Sequence, residues 1–364
     1  MALTQATGDL FGGPRSSTGT LLIIDGRSKA IVHRSTVAGS PVGLTLDTQR
    51  NRAFVLSATP QGKGILVGVD LATGRRLFRT PVGESPEAVA VAERVGRVFV
   101  LTCGGLDSVD ATTGVWKERL SIGPRPGCGG AIAVDQQRQR VFTTGDWGGC
   151  HSSDDGPGCL TTVDAQAGTE ITSTGIYVGV SDLAVDARHG LVAVLSGGRG
   201  GSGQVDILNV STGVVSTTTD IICHGGRIAV DSRSGRIFAL DTPGQYEFNG
   251  PPVATVLDLR TGRIVRTTTL PTHWEDPNGT ITFAAIGVDE RSRQVFVATQ
   301  EVFYAQLKAS TLDILDGQTG ALLARRPLGR GPHAFAVDEA QGRVYIANRR
   351  DGTLTVVQAG SPRS

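Results

Sequence analysis

The 364 residues carry 35 basic and 34 acidic side chains, a formal net charge of +1. That balance excludes a general electrostatic attraction to nucleic acid or to acidic membranes. Glycine reaches 50 residues, about twice its usual ~7% share, which favours short strands separated by tight turns over long helices.

From the start of the chain, residues 1–17 read as a polar Gly/Ser/Thr tail with neither the basic nor the apolar segment of a signal peptide. No apolar run approaches the ~20 residues that span a bilayer as a helix. The first strand signals are TLLIID, ending at Asp25, and AIVHRST, beginning at Ala30. From there one module is written along the whole chain. An apolar run recurs ending at Asp47, Ala92, Asp135, Asp186, Asp231, Asp289 and Asp338, in steps of 45, 43, 51, 45, 58 and 49 residues. Each run is followed by a short turn and a second strand: RAFVL, RVFVL, RVFTT, LVAVL, RIFAL, QVFVA and RVYIA. A second marker, Asp-x-x-Thr-Gly or a close variant, follows at Asp70–Gly74, Asp110–Gly114, Asp164–Gly168, Asn209–Gly213, Asp258–Gly262 and Asp316–Gly320. Its Asp or Asn caps a turn through the side chain, and its glycine supplies positive φ.

A repeat of about 45 residues with period-2 strands predicts a propeller of four-stranded antiparallel blades, strands A to D. Seven A–B pairs predict an all-β, seven-bladed β-propeller in a single domain over 18–360, with residues 361–364 as a short C-terminal tail. The chain opens with C and D strands and ends with A, B and C, so the two ends are expected to share one blade and close the ring. One C-type strand is then surplus, either 21–25 or 354–357.

The unit GPHAFAVDEAQGRVYIANRRDGTLTVVQAG resembles the bacterial YVTN-type β-propeller repeat. The Val-Gly-x-x-Pro lead-in of that repeat is similar to Val82-Gly83-Glu84-Ser85-Pro86 and, in part, to Leu328-Gly329 through Pro332. The resemblance covers about residues 20–358 and implies architecture, with an extracytoplasmic or secreted setting.

In four-stranded blades the A–B and C–D turns lie on one face and the B–C and D–A connections on the other. The A–B and C–D turns here are short and uniform. The variation falls in B–C segments 145–159, 241–252 and 299–310 and in D–A segments 122–130 and 271–283. That variable face carries all five cysteines and His224, His273, His333, Trp147, Trp274, Glu275 and Tyr246, a concentration that points to ligand or partner binding. Strand A should begin five residues before each marker, at Val42, Glu87, Gly130, Ser181, Gly226, Ala284 and His333; among the following positions Asp182 and Arg227 stand out against small residues. Glu87, Asp182, Arg227 and His333 are therefore the candidate channel-mouth set, weighed against a plain inter-blade ion pair.

Cys150 with Cys159, and Cys103 with Cys128, are placed to form disulfides, leaving Cys223 free; two such bridges imply an oxidising compartment. Cys150, His151, Cys223 and His224 are weak candidate metal ligands, without a short-spaced CxxC or HxxxH pattern to support them. No cofactor is expected, and a divalent metal at the channel mouth is the minor alternative. The resulting reading is a monomeric, non-catalytic binding or scaffold propeller holding a protein, glycan or small ligand. The alternative is a hydrolase or lactonase with a metal or carboxylate site at the channel mouth. Nucleic acid is not an expected partner.

Overall fold

The computed structural model describes residues 2–6, 18–24, 31–120, 130–145, 158–176, 179–197, 202–222, 226–241, 252–271, 279–303, 306–339, 342–348 and 353–359. They are all-β, in two compact units, Met1–Val180 and Ser181–Ser364.

The first unit holds four antiparallel sheets. The first comprises β1 (Ala2–Ala6), β2 (Thr18–Ile24) and β3 (Ile31–Ala38). The second comprises β4 (Ser40–Asp47), β5 (Arg52–Ala58), β6 (Lys63–Asp70) and β7 (Arg76–Glu84). The third comprises β8 (Pro86–Ala92), β9 (Arg97–Thr102), β10 (Gly105–Asp110) and β11 (Trp116–Leu120). The fourth comprises β12 (Ile132–Asp135), β13 (Arg140–Gly145), β14 (Gly158–Asp164) and β15 (Thr169–Ile176).

The second unit also holds four. They are β16 (Val180–Asp186), β17 (Leu191–Gly197), β18 (Ser202–Asn209) and β19 (Val215–Ile222); β20 (Gly226–Asp231), β21 (Arg236–Asp241), β22 (Val253–Asp258) and β23 (Ile264–Thr269); β24 (Gly279–Asp289), β25 (Gln294–Phe303), β26 (Gln306–Asp316) and β27 (Leu322–Pro327); and β28 (Pro332–Asp338), β29 (Arg343–Asn348) and β30 (Thr353–Gln358).

Seven sheets open with the A–B pair read from the sequence, and six of them have four strands in A-B-C-D order. The chain ends, expected to share a blade, each form a three-stranded sheet. Ala2–Ala6, read as tail, is strand β1 and pairs with β2, from Ala2↔Ile23 to Ala6↔Gly19. Both C-type strands are thus used, β2 beside β1 and β3, and β30 beside β29, so neither is surplus.

The apolar core is divided into slabs between successive sheets. In the first unit Leu21, Ile23 and Val37 pack with Val55, Ile65 and Val67 of the next sheet. In the second, Phe238, Leu240 and Val256 pack with Val295, Val297 and Leu315. One aromatic recurs seven residues after the A-strand marker, at Phe54, Phe99, Phe142, Phe238, Phe296 and Tyr345, each among the largest fully buried side chains. The fourth copy of that position is Ala193, also fully buried.

Polar ties repeat with the same period. Asp47, Asp135, Asp186, Asp231 and Asp289 are fully buried at the end of strand A. Each accepts backbone N–H bonds within its own A–B turn, as from Arg50 N to Asp47 Oδ1 at 2.9 Å and Arg233 N to Asp231 Oδ1 at 2.9 Å. The next residue reaches the following sheet: Glu93 N donates to Gln136 Oε1 at 3.0 Å, Ser232 N to Glu290 Oε1 at 2.9 Å, and Glu290 N to Glu339 Oε1 at 3.4 Å. Burial, and then the like charges of Glu290, Asp289 and Asp231, push the Glu339 carboxyl above its ordinary value.

A carboxyl whose folded pKa is raised binds its proton more tightly when folded, so its ionisation lowers stability as pH rises. Glu339→Gln is therefore expected to raise the melting temperature at neutral pH. The gain should vanish below about pH 4, where the unfolded carboxyl is itself protonated. Thermal melts of both proteins across pH check this, and a neutral-pH loss would contradict it.

The C–D turns behave as the sequence predicts. Asp70 Oδ1 accepts from Thr73 N at 2.8 Å and Thr73 Oγ1 at 2.7 Å, and Asp164 Oδ1 accepts from Ala167 N at 2.9 Å. These bonds hold both carboxyls below the ordinary value, Asp70 chiefly through the Thr73 hydroxyl and Asp164 chiefly through the Ala167 amide. The turn glycines have positive φ, from 68° at Gly74 to 75° at Gly114. They also touch the preceding sheet, where an added Cβ would overlap His33 at Gly74, the Phe78 ring at Gly114 and Val256 at Gly320. Their carbonyls accept from a hydroxyl ten residues past the preceding marker: Ser35 to Gly74, Thr80 to Gly114, Thr219 to Gly262 at 2.8 Å and Thr268 to Gly320 at 2.8 Å.

Candidate functional site

First strands of consecutive sheets lie side by side, β4 with β8 and β8 with β12 in the first unit, β20 with β24 and β24 with β28 in the second. Their starts are the positions the sequence reading singled out, and the ladder there is irregular. Pairing passes from Pro41↔Ser57 to Gly43↔Leu56, from Pro86↔Thr102 to Ala88↔Leu101, from Phe283↔Thr299 to Ala285↔Ala298, and from Pro332↔Asn348 to Ala334↔Ala347. Val42, Glu87, Ala284 and His333 are thus the extra residues of β-bulges, lifted out of the ladder. Bulges of this kind re-aim a side chain and are enriched beside functional sites. The signal in the sequence was the lead-in proline at Pro41, Pro86 and Pro332, which has no N–H to give to a ladder.

Where this start carries glycine, the reason is local. A Cβ on Gly130 would overlap the Thr144 carbonyl, and one on Gly226 the Leu240 carbonyl, both on the neighbouring B strand. The crowding is against the sheet's own second strand.

Glu87, in the first unit, is half-buried. Its Oε2 accepts from Gly130 N at 3.0 Å and its Oε1 lies 3.4 Å from Cys103 Sγ. The Gly130 bond ties the start of β8 to the entry of the next sheet. Asp182 and Arg227 belong to the second unit, on β16 and β20. Asp182 Oδ2 accepts from Ile228 N at 3.2 Å and its Oδ1 from Leu183 N at 3.0 Å. Burial pushes the Asp182 carboxyl well up, against the opposing pull of the Arg227 charge. Arg227 itself is exposed at the start of β20, and among the described residues its guanidinium makes no hydrogen bond or ion pair. The structure thus brings Asp182 and Arg227 together across consecutive sheets, as neighbours without a direct salt bridge.

Cys103 and Cys159 are both disulfide-bonded. Cys128 and Cys150, their expected partners, lie outside the described residues, as do Cys223, His151, His224, Trp147, Tyr246, His273, Trp274 and Glu275. His333 is placed by its backbone alone. No group of three or more His, Cys, Asp or Glu side chains suited to a metal occurs among the described residues.

One variable segment proves to be regular. Residues 299–310, read as a loop, continue β25 and β26 as a hairpin pairing out to Phe303↔Gln306, and β24 follows β25 out to Gly279↔Phe303. β24, β25 and β26 have 11, 10 and 11 residues, against 4 to 8 in the other opening and central strands of the seven repeat sheets. β27 pairs with β26 only from Thr311 to Leu315, so the three long strands run past the fourth.

No family model matches the sequence, and no curated protein is similar to it. Solved structures are similar in fold. The hydrazine synthase of Kuenenia stuttgartiensis matches with a TM-score of 0.64 at 16% identity over 87% of this chain and 95% of that chain. BamB from Moraxella catarrhalis matches at 0.64 and 15% identity over 98% of each chain. The Dos1 propeller matches at 0.65 and 10% identity over 96% of this chain and 90% of that chain. At these identities the likeness speaks for fold alone. With seven A–B pairs and no helix among the described residues, the chain is an all-β, seven-bladed β-propeller.

Proposed function

We propose that the protein is a non-catalytic binding or scaffold propeller that holds a protein, glycan or small ligand on the face of its B–C and D–A connections. The observation that carries this reading is the uneven use of the sheets. In the other six the opening and central strands have 4 to 8 residues, whereas the β24–β26 sheet extends on the variable side beyond what its own fourth strand covers. The carboxyls that a hydrolase would need at the strand starts are engaged by backbone amides, Glu87 with Gly130 and Asp182 with Ile228 and Leu183. No helix of the described residues is long and apolar enough to cross a membrane. The Cys103–Cys128 and Cys150–Cys159 pairing fits the disulfide-bonded state of Cys103 and Cys159, and with it an oxidising compartment.

The test is turnover. Chromogenic esters, lactones and glycosides incubated with the purified chain are expected to react at the buffer rate, unchanged by Asp182→Asn. Hydrolysis by the wild type that is lost in Asp182→Asn would overturn the binding reading in favour of the enzyme.

A further inference from the structure

The Asp182–Arg227 neighbourhood supports a narrower statement, which rests on the binding reading. Arg227 is an exposed guanidinium on the first strand of its sheet, and among the described residues none of its donors is used. An arginine held on a rigid strand with a free planar fork suits an oxyanion, which it can engage with two parallel N–H bonds. The neighbouring Asp182 carboxyl is fixed in place by the Ile228 and Leu183 amides, so it stays beside the guanidinium whatever Arg227 binds.

We propose that Arg227 anchors a ligand carboxylate at the start of β20, beside the carboxyl of Asp182. The charge at the site favours a monoanion over a phosphate. The single guanidinium is matched by one carboxylate; the second charge of a phosphate dianion would face an ionised Asp182 with no further cation to offset it. A protonated Asp182 offers no such opposition, so acidification strengthens binding. Among the described residues Arg227 is the only charged side chain that acts on Asp182; Asp241, across from Gly226 in the ladder, is buried and has a partner of its own.

The experiment follows the arginine Nε–Hε resonances of the full chain during titration with acetate, with acetamide as the neutral isostere. One resonance is expected to shift saturably with acetate and not with acetamide, and Arg227→Gln removes it while leaving the melting temperature unchanged. The affinity for the acetate ion should rise as pH falls, by about fivefold or more across the titration of Asp182, the scale of a modest coupling between sites. Asp182→Asn should abolish that pH dependence without abolishing the shift. The proposal is overturned by no saturable shift, by the same shift in Arg227→Gln, by small shifts spread over many arginines, or by an equal response to acetamide. Such a failure leaves the binding reading standing, because that reading falls only if turnover is found.

Discussion

Replacing Arg325 by methionine is expected to cost about 3–5 kcal/mol of stability, the range for breaking a buried ion pair from one side. Asp313 is fully buried in the centre of β26, opposite Arg325 of β27. Arg325 Nε donates to Asp313 Oδ1 at 2.7 Å and Nη2 to Oδ2 at 2.8 Å, a bidentate fork that is the carboxylate's only partner among the described residues. Removing the arginine leaves a desolvated anion with nothing to offset it. The same fork recurs in the third sheet, where Arg119 engages Asp107, again opposite it in the ladder. Asp107 also accepts from Gly83 N at 2.6 Å and Trp116 Nε1 at 3.3 Å, so Arg119→Met should cost less than Arg325→Met. Urea unfolding of the two variants checks the order. Replacing Asp313 by leucine together with Arg325→Met should recover most of the loss, since an apolar pair leaves no buried charge. Equal losses at the two arginines would show that the extra donors to Asp107 contribute nothing.

The second large effect is expected at Gly114. With φ at 75°, any side chain there is strained, and a Cβ would run into the Phe78 ring of the preceding sheet. Gly114→Ala should cost about 2–4 kcal/mol, combining the left-handed backbone penalty with overpacking. Gly235 separates the two causes, because its φ is 65° and nothing lies within 4 Å of its added Cβ. Gly235→Ala should therefore show the backbone penalty alone, about 1 kcal/mol. If the two substitutions cost the same, contact between successive sheets contributes nothing to the glycine requirement at position 114.

That pair also marks how far the sequence could be read. The Asp-x-x-Thr-Gly turn was legible because its chemistry is local, an oxygen capping amides two and three residues on. The second role of its glycine was not, because the atoms it meets lie about forty residues earlier in the chain. The repeated A and B strands were visible through their period-2 pattern and the aromatic at Phe54, Phe99, Phe142, Phe238, Phe296 and Tyr345. The extension of β25 and β26 was hidden because the sequence between Phe303 and Gln306, Tyr-Ala, is not one that announces a hairpin. Strand β1 was missed because ALTQA is a weak strand former, ordered by its pairing with β2. At the candidate site, strand starts and their odd polar residues were legible. The bulges that set Glu87 and His333 apart were signalled only by a preceding proline. That Glu87 and Asp182 are engaged by amides of the following sheet is a tertiary fact with no local signature.

The hydroxyl that β3, β7, β19 and β23 each offer to the next turn glycine gives the contact between these blades a direction. At these junctions one flank of a blade presents a donor and the other an acceptor, so two such blades meet head to tail and not face to face. Such an interface is heterologous and does not specify where it stops; the number of blades is set by the angle between them, not by the bond itself. Gene duplication could therefore add or remove a whole blade without inventing a new contact. For the same reason an excised blade would carry an unsatisfied end on each flank and be prone to open-ended assembly.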